Sequence, residues 1–186
     1  MEHGYRWRQT ELGSYITDMF KESLGLNVFL LGSGSVRRET AGPIITYKDL
    51  IEIMPYDDKI YQFMTTGAQL RRMLLYVYRD EAFVGEHTEF FQLSRGFELE
   101  YSKSKHEFNV FKMHGVDIKD DQLMSIGLRK YHVNNFDSCF GFSMDELKLE
   151  QEPRIVSTST HDIINECLIK GFKQDKNWEN RLKIVE

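Results

Sequence analysis

Residues that often carry chemistry are present in this chain, but they do not form a complete catalytic set along the sequence. There is no G-x-x-x-x-G-K-[ST] phosphate loop, no G-x-S-x-G nucleophile turn and no H-E-x-x-H zinc helix. The six histidines (His3, His87, His106, His114, His132 and His161) are scattered and make no ligand spacing with acids. Gly85-Glu86-His87-Thr88-Glu89 approximates a Gly-Asn-His-acid metal pattern. A metal site needs several convergent ligands, and the companion stretches are missing, so the segment reads as a solvated loop. Cys139 and Cys167 make neither a disulfide framework nor a metal spacing. They read as two free, partly buried thiols.

What remains is suited to binding. Gly32-Ser33-Gly34-Ser35 is followed by Arg37-Arg38, a turn that can present backbone N–H groups and a guanidinium to an anion. Met54-Pro55-Tyr56-Asp57-Asp58 places an aromatic ring just past a helix end, and Asn134-Asn135-Phe136-Asp137 places a second ring in another loop. Loop rings can stack on a flat heterocyclic base. Each feature alone also has a plain structural reading, as solvated surface arginines or as rings that fill a core.

The elements that would position these groups follow from periodicity. Leu12, Tyr15, Ile16, Met19 and Phe20 form one helical stripe over residues 9–24, and Gly25 stands where that helix should stop. Residues 27–31 read as a buried strand running into the glycine turn. Thr46 can cap a short helix through Met54, ended by Pro55. Residues 59–65 alternate as a strand, and Thr66 to Gln69 forms a capping box before a helix that turns Leu70, Met73, Leu74 and Val77 inward. Further strands are expected over 91–101, 107–113, 124–133, 154–157 and 181–185. A short helix is expected over 143–149, and a longer one over 160–172. Helices and strands mix without regular alternation, which predicts a layered α+β domain with a mixed sheet and helices packed upon it.

Composition bounds the rest. The 186 residues fit one domain, with 41% hydrophobic and 28% charged residues. The net charge of −5 and the lack of a long basic stripe argue against nucleic acid as a partner. No apolar run approaches the roughly 20 residues of a membrane helix. With no export signal or disulfide pattern visible, a cytoplasmic setting is the expectation.

Four stretches in order then carry a family resemblance. Thr10-Glu11-Leu12-Gly13-Ser14 looks like T-N-[LM]-G-[NR], and Leu31 to Arg37 looks like L-N-G-G-G-I-R. Ile44 to Leu50, with Met54-Pro55-Tyr56, looks like I-T-Y-x-[DN]-[LV] and then [LQ]-P-F, and Thr66 to Leu70 looks like T-G-x-x-[LV]. From about Arg6 to Val185 the chain resembles the C-terminal domain of 5'-nucleotidases, UDP-sugar hydrolases and cyclic-nucleotide phosphodiesterases. The resemblance implies a substrate-binding domain that clamps a nucleotide base, or handles a related phosphoester, between two aromatic rings. It further implies a separate N-terminal metallophosphoesterase domain, absent from this chain, with two divalent metal ions that perform the hydrolysis. On this reading the chain itself holds no cofactor and is inactive alone.

Residue by residue, the resemblance makes Arg6 and Arg37 substrate contacts and Tyr56 and Phe136 the two rings. Two departures stand out. The family's turn asparagine is Gly32 here, which removes a polar contact. The stretch after Asn135-Phe136 lacks the G-G-D that would hold ribose hydroxyls. These departures motivate an alternative, a non-catalytic nucleotide-binding or structural module.

Overall fold

The structure, a computed structural model, describes residues 1–2, 8–79 and 89–186. Helix α1 (Glu11–Leu24) starts where the Thr10 side chain accepts a hydrogen bond from the Gly13 N–H. It ends at Gly25, whose φ of 63° is the left-handed conformation that glycine adopts without a Cβ penalty. Strand β1 (Val28–Gly32) follows and leads into a single 3-10 turn at Ser33–Ser35. Helix α2 (Tyr47–Ile53), strand β2 (Ile60–Thr66) and helix α3 (Gly67–Val77) come next. Both helices carry capping boxes, Thr46 with Asp49 and Thr66 with Gln69.

The segment expected as one strand over 91–101 is two strands in two different sheets. Strand β3 (Phe91–Leu93) pairs with β1, whereas β4 (Phe97–Ser102) pairs with β5 (Glu107–Met113). The break falls at Gly96, whose φ of 102° lets the chain swing from one layer to the next. Strand β6 (Val116–Asp117) and strand β7 (Leu123–Arg129) complete the middle of the chain. Strand β7 is shorter than expected, because residues 130–134 turn into helix α4 (Lys130–Asn134) and α5 (Phe136–Phe140) follows at once. Strand β8 (Arg154–Ser157), helix α6 (Thr160–Ile169) and strand β9 (Leu182–Val185) close the fold.

Two mixed sheets result, a five-stranded one ordered β3-β1-β7-β2-β8 and a four-stranded one ordered β6-β5-β4-β9. Strand β1 shows why the sequence layers this way. Phe29 and Leu31 face a core shared with α1, α2 and α6, while Val28 and Leu30 face a second core shared with α3 and the four-stranded sheet. A strand buried on both faces needs apolar residues at every position, and Val-Phe-Leu-Leu supplies them. The expected α+β, layered mixed-sheet architecture is therefore the one observed. Among the described residues no helix is long and apolar enough to cross a membrane.

One polar node ties the layers together. Asp18 on α1 is fully buried and accepts from Arg181 Nη2 at 2.7 Å and from the Arg95 Nε and backbone N–H at 3.1 and 2.7 Å. Arg181, itself 2% exposed, also donates to Asp175 at 2.8 Å and to the Leu93 carbonyl at 2.6 Å. Burying these charges is tolerable because each has opposite charge and hydrogen bonds around it.

Candidate functional site

At one end of the five-stranded sheet the start of β2 lies beside the end of β7, in the register Ile60↔Arg129. The chain on either side of that pair carries the candidate groups. Tyr56 lies in the loop before β2 and Tyr131 in the first turn of α4 after β7, and both are largely exposed, at 62% and 58%. Hydrogen bonds tie the two segments together. Arg129 Nη2 donates to the Tyr56 carbonyl at 2.7 Å, the Lys130 N–H to the Lys59 carbonyl at 2.8 Å, and the Tyr131 N–H to Asp58 Oδ2 at 3.1 Å. Arg129 is buried beneath this junction, where Asp58, Glu89 and Asp57 offset the cost of enclosing its charge.

The Tyr56 loop is fixed from a second side. Asp57 Oδ1 accepts from Ser159 Oγ, the Thr160 N–H and hydroxyl, and the His161 N–H, at 2.8–3.1 Å, all at the start of α6. A carboxylate there satisfies orphan N–H groups and meets the positive end of the helix dipole. Burial works against its ionisation, but these bonds and the proximity of His161 outweigh it and hold the carboxyl below the usual carboxylate range. The His161 ring in turn bonds the Met54 carbonyl.

The glycine turn closes the rim. The Arg37 N–H bonds the Ile53 carbonyl at 2.8 Å, and the exposed Arg37 guanidinium lies 5.9 Å from the centre of the Tyr56 ring. Arg38 points elsewhere and pairs with Asp49 and Glu52 of α2. The Gly34 N–H donates to Glu89 Oε1 at 3.1 Å, and His132 Nε2 lies 3.0 Å from Glu89 Oε2. That pair accounts for Gly32. A Cβ there would stand 2.1 Å from Glu89 Oε1 and 2.4 Å from His132 Nε2, so the space an asparagine would need is already filled.

The residues expected from sequence therefore separate. Arg37 and Tyr56 are brought together. Arg6 lies outside the described residues, as do residues 85–88 of the metal-like segment. Phe136 is a correction. It sits on a helix, not in a loop, is 2% exposed, and packs against the Phe63, Phe140 and Phe142 rings. Helix α5 turns this ring into the core beside α3, so it offers no face to a ligand. Tyr131, five residues earlier, is the exposed ring on the segment that follows β7. It was missed because a strand expected through Val133 hid it. The signal was the polar Arg129-Lys130 pair ending the apolar run of β7.

Among the described residues no three His, Cys, Asp or Glu side chains are placed to hold a metal. Both cysteines are free, and burial together with the Glu89 charge pushes the Cys139 thiol up to about 12. It is therefore a protonated, unreactive group at neutral pH. A recess of about 560 Å³ on the four-stranded sheet, lined among others by Glu98, Glu100, His114 and Lys183, contains none of the residues of the rim. The rim itself offers two exposed rings, a guanidinium and a carboxylate, which are means of binding.

A family profile described as 5'-nucleotidase, C-terminal domain matches residues 2–147. No curated protein matches the chain. Among solved structures, a 5'-nucleotidase precursor from Thermus thermophilus aligns over 100% of this chain and 37% of its own, with TM-score 0.77 and 17% identity. Haemophilus influenzae NAD nucleotidase aligns over 95% and 33%, with TM-score 0.77 and 14% identity. A Thermus thermophilus sulfate thiohydrolase aligns over 97% and 33%, with TM-score 0.68 and 14% identity. The chain thus spans about a third of the length of these structures, and at such identities the likeness establishes the fold.

Proposed function

We propose, for a chain that belongs to the 5'-nucleotidase C-terminal domain family, that it binds a nucleotide or related phosphoester by holding the base between Tyr56 and Tyr131. The observation that carries this reading is the placement of two exposed rings on either side of the β2–β7 junction, on backbones tied to one another through Arg129 and Asp58. Exposed rings on a rigid base lose little entropy when a flat ligand arrives, and stacking contributes about 1–3 kcal/mol per base. Arg37 beside Tyr56 supplies the positive charge that a phosphate or ribose oxygen would meet. Two of the structural neighbours are named as nucleotidases, which supports a nucleotide ligand. Cleavage of the phosphoester belongs, in this reading, to a metallophosphoesterase domain outside this chain, with its two divalent ions. This domain would bind and orient.

The test is a titration of the 186-residue chain with adenosine, AMP, UMP and UDP-glucose at millimolar concentration, followed by backbone amide NMR shifts. Shifts clustered at Arg37, Tyr56 and Tyr131, and weakened by about fivefold or more in Tyr56→Ala and Tyr131→Ala, are expected. Shifts absent for every ligand, or unaffected by both substitutions, would refute the clamp.

A further inference from the structure

Glu89 closes the metal-like segment of the sequence, yet its carboxylate lies among the groups of the candidate site. Its two oxygens reach different elements: Oε1 accepts from the Gly34 N–H in the glycine turn, and Oε2 meets His132 Nε2 in α4, one residue after Tyr131. The side chain is about a quarter exposed, whereas the His132 side chain is wholly buried and its Nδ1 has no partner. A side chain on residue 32 and the carboxylate of Glu89 compete for the same space, because a Cβ on Gly32 would fall 2.1 Å from Oε1. In this chain the polar group beside the turn therefore comes from residue 89, and it is an anion where an amide would be neutral.

We infer that Glu89 is the specificity group of this site, a fixed carboxylate that selects ring ligands bearing an exocyclic amino group over those that lack one. The inference rests on the stacking clamp proposed above. An ionised carboxylate has acceptor sites only, so a ring carbonyl facing it is repelled, while an exocyclic amino group is bound. Burial opposes the charge on Glu89, but the His132 hydrogen bond and charge, the Gly34 N–H and nearby Arg129 outweigh it and hold the carboxyl below the usual range. The bond to Gly34 and the contact with His132 also leave it little freedom to swing away from a ligand it does not suit. The ligand class is thus an amino-bearing base, of which adenine, cytosine and guanine are the natural representatives.

The experiment pairs ligands that differ at that edge. Cytidine is compared with uridine, and guanosine with inosine, by titration of the 186-residue chain and of its Glu89→Gln variant. Glutamine keeps the shape and can still accept from Gly34, but it also donates, so it removes the sign of the group and not its volume. The Gly34 amide resonance reports whether the turn has stayed in place, and thermal unfolding reports the fold. The expected result is about a tenfold preference for cytidine and guanosine in the parent chain. In Glu89→Gln that preference should fall to twofold or less, with the Gly34 resonance little changed and the chain still folded at the temperature of the titration. Binding without a donor preference, or a preference that survives Glu89→Gln, overturns this inference and leaves the clamp standing. No binding of any of the four nucleosides overturns both.

Discussion

Two polar regions of this molecule use the same side chains in opposite ways. At the Asp18–Arg181–Arg95 node, the carboxylate and the Arg181 guanidinium are buried, and the charges partner one another between α1, β3 and the chain before β9. At the rim, Arg129, Asp57, Asp58 and Glu89 are also partnered, but the bonds they make hold neighbouring groups outward: Tyr56, Tyr131 and Arg37 face solvent. The node's bonds end within the cluster, and the one Arg181 nitrogen without a partner, Nε, is itself buried away from any ligand. The rim's bonds brace its loops and leave two apolar faces and a cation uncovered. A polar cluster is thus a poor guide to function on its own. What matters is whether the bonds end within the cluster or prop up something exposed beside it.

Substitutions should separate the two regions by what they change. The largest effect on stability is expected from Arg181→Met, which leaves the buried Asp18 with Arg95 as its remaining cationic partner. Equilibrium denaturation should show a loss of about 3 kcal/mol or more, with binding altered only through folding. Next comes Gly32→Ala, whose Cβ would collide with Glu89 and His132. A loss of about 1–3 kcal/mol is expected, together with weakened ligand binding, since the turn and α4 must move apart. If chemical denaturation shows this variant as stable as the parent, the tight packing at the turn is wrong.

Asp57→Ala removes the acceptor at the start of α6 and should cost about 1–2 kcal/mol. It should also blur the Tyr56 loop, which amide hydrogen exchange at residues 54–58 would reveal. By contrast, Tyr56→Ala and Tyr131→Ala should move the unfolding midpoint little, with changes within about 0.5 kcal/mol, because their rings are exposed. Ligand binding should weaken in both. A large stability loss in either would mean that the ring packs where it is now seen to be free.

The smallest and broadest effect is that of pH. Asp57, Glu89 and Asp175 all titrate below the ordinary carboxylate range in the folded chain, although burial opposes each shift. A carboxyl depressed on folding stabilises the fold above its unfolded value of about 4, and that contribution is lost as pH falls through the folded value. Stability should therefore be flat near neutrality and decline below about pH 4. Arg181→Met should flatten the acid limb by removing the partner of Asp175, while Tyr131→Ala should leave it unchanged.

Much of the scaffold was written in local patterns. The α1 stripe from Leu12 to Phe20, the Thr66–Gln69 capping box and the all-apolar β1 each follow from neighbours a few residues apart, so periodicity and capping chemistry found them. Arg37 and Tyr56 were each named through the family resemblance, and the fold sets them 5.9 Å apart, guanidinium to ring centre. What failed did so for one reason. Whether Phe136 or Tyr131 shows its face depends on where β7 ends and which way α5 rolls onto α3, and both are set by contacts distant in sequence. Glu89 was dismissed with its loop because its partners, Gly34 and His132, are 55 and 43 residues away. By itself, then, the sequence determined most of the helices and strands, the buried character of β1 and the family. Tertiary structure alone decided which rings are exposed and which carboxylate fills the space left by Gly32, because exposure and contact are properties of packed surfaces and not of any local stretch of chain.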